Sequence, residues 1–468
     1  MIPRLFIAMI LCATLQVSAL TLRVPSDFAE IEIAMRMTDP GDTVLVAPGT
    51  YTEWTVPLFS GVTLLAEDME QGATVIHAND HTFAIIAEYV DASALIRGFT
   101  LRNATSSGIF LDNSDPRIED CLIIQNEGPE GGGALLWNSS AHFTRCRFSS
   151  NLSDRGGAVY MRDLGSEPIF TDCEFYWNTA WDLGGGIFVD SARPIFENCV
   201  VVGNQSFGNG AGVYAENCLA GWPLLENCVL ASNHAAWRGG GAAFKIASGI
   251  LRACTLVENS AGFDGGAVWA ERASTKLERC IIAFNAPDMG VACGPFSSPR
   301  VECCDLYGNE GGDEICGTDL GGNFTAHPFF CDLDAGEWTL AANSPCLPLA
   351  NDCHELIGAR GLACSLPVGV PEEFPALAMQ LNAFPNPFNP STEIRFTLLE
   401  AGPVNLAVFD IAGRRVRSLY PGTILEAGEH LAVWDGRDDR GIALSSGLYF
   451  LSLQAATHHL NRKLVLLK

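Results

Sequence analysis

Eight cysteines stand in phase along the middle of the chain: Cys121, Cys146, Cys173, Cys199, Cys228, Cys254, Cys280 and Cys304. A thiol can ligate a soft metal, act as a nucleophile or close a disulfide, so this row is the first place to look for chemistry. Its surroundings argue for a scaffold instead. Each Cys has an apolar residue three positions before it and another two positions after it, and five positions after it comes Asn: Asn126, Asn151, Asn178, Asn204, Asn233, Asn259, Asn285 and Asn309. No C-x-x-C pair with a matching His accompanies them. In stacked strands about 4.8 Å apart the thiols would lie parallel rather than face one another, which suits a ladder of small buried side chains.

A second constellation is more suggestive. Between the Asn and the next copy of the pattern, Trp181, Phe207, Trp237 and Phe263 occur on four consecutive repeats, with Asp154, Asp182 and Asp264 beside the same turns. Aromatic faces stack on sugar rings and on one another. The four residues are therefore candidates for a glycan-binding strip or for an internal ladder. The aspartates could add contacts to hydroxyls or cations, or could simply favour the turns. No cofactor is indicated; calcium would suit aspartates, but no motif points to it. No paired carboxylates for general acid and base work can be assigned from spacing, because the only adjacent aspartates, Asp438 and Asp439, lie near the C-terminus. Gly208-Asn209-Gly210-Ala211-Gly212 imitates a phosphate loop but falls at the glycine turn of its repeat.

The elements that position these residues follow from the period. A repeat of about 26 residues means stacked supersecondary units, none able to bury its apolar face alone. The returning segment carries Gly132-Gly133, Gly156-Gly157, Gly185-Gly186, Gly240-Gly241 and Gly265-Gly266, each followed by apolar residues. Paired glycines cost a helix about 1 kcal/mol each, which excludes a leucine-rich repeat with helical returns. The spacing predicts a coil of three strands: one ending at the apolar residue before Cys, one holding Cys, one after the glycines. The fold class is all-β, a right-handed parallel β-helix solenoid followed by a small C-terminal β-sandwich. An earlier rung is expected to place Gly98 at the Cys position and Asn103 at the Asn position. In the stacked Asn row the residue is suited to left-handed turns, and its amides can bond to one another.

Residues 1–19 read as a signal peptide, with Arg4, an apolar run from Leu5 to Leu15 and Val17-Ser18-Ala19. Residues 20–364 form the β-helix. A short amphipathic helix with Ile31, Ala34 and Met35, capped by Ser26 or Asp27, is expected to cover its first rung. A Cys-rich segment is expected to close the other end, where the off-register Cys293, Cys303, Cys316, Cys331, Cys346, Cys353 and Cys364 would pair in an oxidising compartment. Residues 365–378, with Pro367, Pro371 and Pro375, read as a linker. Short alternating strands across residues 379–468 predict the sandwich. With 28 basic and 54 acidic residues the net charge is −26, which disfavours nucleic acid. No later run is long enough to span a bilayer as a helix.

Several stretches resemble known families. Phe148 to Asn151 and Phe175 to Asn178, taken with the glycine strands, resemble the chlamydial polymorphic outer membrane protein repeats, over roughly residues 94–310. Residues 40–51 resemble the opening of secreted β-helix proteins, pectinesterase-like ones among them. Pro385 to Thr392, Phe409 to Arg414, Trp434 to Asp438 and Ser446 to Tyr449 resemble both the flagellar hook-capping immunoglobulin-like domain and the type IX secretion C-terminal sorting domain. That resemblance implies a type IX-like secretion apparatus as partner, and a protein exported to the cell surface or beyond. The expectation is a surface that binds glycan or protein. The alternative is a polysaccharide lyase or glycoside hydrolase on the same solenoid, for which the motifs of those enzymes are missing.

Overall fold

The structure is a computed structural model that describes residues 19–364, apart from 80, 219, 220 and 334, and residues 381–466, apart from 385, 387, 399–401, 411–413, 426–427 and 456–457. The expected signal peptide, save Ala19, and the expected linker lie outside the described residues. Two compact units result, Met1–Leu366 and Pro367–Lys468.

The first unit is a parallel β-solenoid of about 13 turns. One coil shows its construction. His142–Thr144 joins a first sheet of 13 strands, Arg147–Ser149 a second of 11, Leu152–Arg155 a third of six, and Val159–Arg162 a fourth of ten. The third sheet corrects the expected three-strand coil: over six coils the stretch between Asn and glycine is itself a strand. Gly156, at φ +65°, supplies the left-handed turn into the fourth sheet. At Gly157 a Cβ would lie 2.3 Å from the Gly185 carbonyl oxygen, so the coils meet there backbone to backbone.

The interior is filled by like residues stacked on like. Phe143, Phe170 and Phe196 lie with ring centroids 4.8 and 4.9 Å apart, contacts worth about 0.5–1.5 kcal/mol each beyond burial. Cys does not lie inside a strand as expected. It occupies the corner between the first and second sheets, where all eight thiols are buried and free. Cys146 Sγ donates to Ile118 O of the preceding coil at 3.3 Å. Burial raises the thiols of Cys199, Cys254 and Cys304, which makes them poor nucleophiles.

The Asn row forms the next corner. Asn178 Oδ1 accepts from the backbone and side-chain nitrogens of Asn151, both at 3.0 Å, while its Nδ2 donates to Asn204 Oδ1 at 3.0 Å and Phe148 O at 3.1 Å. The stacked bonding is as expected, but the left-handed residue is the one before Asn: Ser150 has φ +55° and Trp177 +53°. The same shift corrects the earlier rung. Phe99 takes the Cys position and Ala104 the Asn position, its amide bonding Asn126 Oδ1 at 3.0 Å, because Thr100 pairs with Leu122.

Helix Ile31–Met35 buries Ile31, Ala34 and Met35 against Val24, Val44 and Val56 of the first rungs. Neither Ser26 nor Asp27 caps it, since Asp27 instead accepts from Arg23 N. The buried Glu53 carboxylate does so from the next rung, accepting from the amides of Ile31 at 2.8 Å and Glu32 at 3.2 Å. At the far end Cys293–Cys316, Cys303–Cys353 and Cys331–Cys364 are disulfides. Cys346 is not; it is buried with Sγ 3.3 Å from Asp305 Oδ2.

The second unit is a sandwich of two antiparallel sheets. One holds Leu381–Phe384, Thr392–Leu398 and Gly428–Trp434; the other runs Arg415–Leu425, Gly402–Asp410, Gly447–Ala455, His458–Leu466. Trp434 is fully buried between Phe388 and Tyr449. Asn386 holds the last strand, accepting from Val465 N and donating to Lys463 O, both at 2.7 Å.

Candidate functional site

The third sheet positions the candidate residues. Its register aligns Glu127, Leu152, Thr179, Gln205, His234 and Ser260, the residues that directly follow the ladder Asn of each coil. The next row, Gly128, Ser153, Ala180, Ser206, Ala235 and Ala261, is small, and from Ser153 onward it is buried. Because side chains alternate across a strand, the first row faces outward, as do residues two positions further along.

Trp181 and Phe207 are those residues. They lie on neighbouring coils, joined by Phe207 N to Ala180 O at 3.0 Å, and their rings stack at 4.8 Å. Trp237 and Phe263 sit one residue further along their coils, where Trp237 N bonds Gly208 O rather than Phe207 O, and their rings meet at 5.5 Å. The four form two pairs with a one-residue step between them. Their exposure runs from 42% to 58%, so they are no internal ladder.

The flanking aspartates divide into two kinds. Asp182 is held by Arg155 at 3.2 Å and Asp264 by Arg238 at 2.8 Å, each arginine coming from the preceding coil. Asp154 has no such partner among the described residues. It lines a groove of about 470 Å³ together with Thr105, Glu127, Gly128, Pro129, Leu152, Ser153 and Trp181. Beyond Thr105 the same face continues to His81, whose carbonyl accepts from Thr105 N and whose ring stacks on the exposed Trp54 at 4.3 Å. Among the described residues no group of three or more His, Cys, Asp or Glu is placed to hold a metal ion.

Two sets of residues escaped the sequence reading. One is the polar row Glu127, Thr179, Gln205, His234 and Ser260, recognisable only as the residue after each repeat Asn. The other lies on the fourth sheet, where Arg162, Asp190, Glu216, Lys245 and Glu271 fall in register on successive coils. Beside them runs a buried outer stripe with Tyr160, Phe188, Tyr214 and Trp269. Tyr214 Oη lies 3.4 Å from Glu216 Oε2. Burial raises the Glu216 carboxyl and Asp190 adds to it; burial also pushes the Tyr160 hydroxyl up to about 12. The charged fourth residue of the post-glycine strands from Val159–Arg162 to Val268–Glu271 was the available signal.

Two families match the chain: the right handed beta helix region at residues 73–220 and the FlgD Ig-like domain at residues 389–459. No curated protein matches by sequence. Among solved structures, a pectin methylesterase from Yersinia enterocolitica is similar at 14% identity and TM-score 0.31, covering 63% of this chain and 94% of its own. The Dettilon tailspike protein is similar at 10% identity and TM-score 0.38, covering 88% and 93%. The catalytic unit of a GH87 alpha-1,3-glucanase from Streptomyces thermodiastaticus is similar at 14% identity and TM-score 0.29, covering 63% and 65%. The family matches and the coils together support a right-handed β-helix repeat protein with an Ig-like domain of the FlgD kind near its C-terminus.

Proposed function

We propose that this is an exported β-helix protein, secreted or attached to the cell surface, that binds glycan along the outer face of its third sheet. The observation that carries the reading is the two exposed aromatic pairs, Trp181 stacked on Phe207 and Trp237 tilted against Phe263, beside an open groove. Coils about 4.8 Å apart set the exposed edges of these rings at intervals close to the length of one sugar unit. The outward row of Thr179, Gln205, His234 and Ser260 supplies hydroxyl, amide and imidazole partners for sugar hydroxyls. Affinity electrophoresis against neutral and charged polysaccharides tests it. Trp181→Ala and Trp237→Ala should each weaken retardation at least fivefold while leaving the melting temperature unchanged; unaltered retardation would remove the strip from the argument.

The Ig-like unit is read as a sorting signal addressed to a type IX-like apparatus. Deleting residues 379–468 should abolish surface display, and undiminished display would refute that role.

A second reading, glycan cleavage, is favoured by Asp190 and Glu216 on neighbouring coils. In-register strands about 4.8 Å apart set the two residues side by side, in the range of the carboxyl spacing of about 5 Å that retaining glycosidases use, and a raised carboxyl suits a general acid. Release of reducing ends, lost in Asp190→Asn and Glu216→Gln, would establish it.

A further inference from the structure

The groove beside Trp181 differs from the rest of the third sheet in its charge. Asp182 and Asp264 are neutralised by Arg155 and Arg238, and each pair spans two coils. Glu127 and Asp154 are both exposed and both line the groove, and their carboxylates have no ion pair or hydrogen bond among the described residues. Trp181 supplies an aromatic face at the edge of the same groove. Two carboxylates without counter-charges and an indole face, together in one groove, form a setting for a cation that is also a hydrogen-bond donor.

We infer that this groove takes a protonated amino-sugar ring, so that the third sheet selects glycans bearing free amines over neutral or uronic-acid glycans. The inference rests on the glycan-binding reading above and names its ligand class. An ammonium group can donate to Glu127 and Asp154 at once while the ring's apolar face lies on the groove side of Trp181, and further sugar units then run along the exposed edges of Phe207, Trp237 and Phe263. A calcium ion fits less well, because it asks for six to eight oxygen ligands and the groove brings two carboxylates. A uronic acid would place its carboxylate against Glu127 and Asp154, where like charges repel and nothing compensates.

The test is calorimetric titration of the full chain with four β-1,4 or α-1,4 hexamers: of glucosamine, N-acetylglucosamine, glucose and galacturonate. It is run at pH 5.5, where the glucosamine amines are charged, in low salt. The glucosamine hexamer should bind about tenfold more tightly than the glucose hexamer, the size expected of two exposed charge contacts, and galacturonate should bind weakest. In Glu127→Gln with Asp154→Asn that preference should vanish, the glucosamine hexamer then binding no more tightly than the glucose hexamer. Equal affinities for the glucosamine and glucose hexamers, or a preference that survives the double substitution, overturns the inference while the aromatic strip stands. Failure of all four to bind overturns the glycan reading itself and this inference with it.

Discussion

Asn178→Ala tests the scaffold that spaces the candidate site. Asn178 is fully buried, and its side chain makes four hydrogen bonds: two accepted from Asn151, one donated to Asn204 and one donated to Phe148 O. Alanine leaves the Asn151 amide and the Phe148 carbonyl without these partners in a dry corner. A buried polar group deprived of its partner costs about 1–3 kcal/mol, so the two together predict a loss on the order of 2–5 kcal/mol. Asn204 keeps its bond from the residue 178 amide, and Asn151 Nδ2 keeps Ile123 O at 3.0 Å, so those atoms add little. Coils in a solenoid are stabilised by their nearest neighbours, and a break in the middle of the ladder should also lower cooperativity. Guanidinium unfolding followed by tryptophan fluorescence should show a lower midpoint and a shallower transition. Asn343→Ala, at an exposed position with ordinary backbone geometry, is the control. A change below about 0.5 kcal/mol in Asn178→Ala, no larger than the surface control, would refute the claim that the Asn row stabilises the stack.

Other perturbations probe the ends and the turns. Burial pushes the Asp305 carboxyl up to about 7, with Cys346 against it, so the folded protein holds a proton that the unfolded chain releases. Stability should therefore fall as pH rises from about 4 to about 7, by up to about 4 kcal/mol, and Asp305→Asn should flatten that dependence; melts at pH 5 and pH 8 check it. Replacing Cys303 and Cys353 together by Ser opens a cross-link across 50 residues and should cost about 4 kcal/mol in calorimetric unfolding. In Gly157→Ala the new Cβ would meet the Gly185 and Thr179 carbonyl oxygens at 2.3 and 2.6 Å, and the backbone must move; a loss of about 3 kcal/mol in chemical denaturation is expected.

How much of the fold is legible in the sequence depends on what each position does for the coil. The repeat period and the paired glycines were enough for the parallel solenoid, because only a strand and a tight turn tolerate them. Register was harder by one residue. Asn151 and Ser150 are neighbours, and either suits a turn; only the stacked hydrogen bonds show that Asn is the ladder and Ser150 the left-handed residue. The same ambiguity misplaced Gly98 and Asn103 against Phe99 and Ala104. The aromatic strip was legible because aromatics at a fixed place in a repeat must share a face, but the step between Phe207 and Trp237 was not, since it comes from which carbonyl Trp237 N finds.

The third sheet was invisible for a different reason, and that reason bears on function. Its strands are short, at two to five residues, and its outward row varies from Glu127 through Leu152 to Ser260, so it carries no hydrophobic pattern. The interior it covers is lined by glycine, alanine and serine and asks nothing of the residues outside. A row that the core does not constrain is free to vary from coil to coil, whereas the Cys, Asn and Phe rows are each committed to packing. Among these four sheets, the third therefore has the exposed positions on which a ligand's chemistry can be written with least cost to the fold. The unpaired Glu127 and Asp154, the two aromatic pairs and the polar row all lie on that one face.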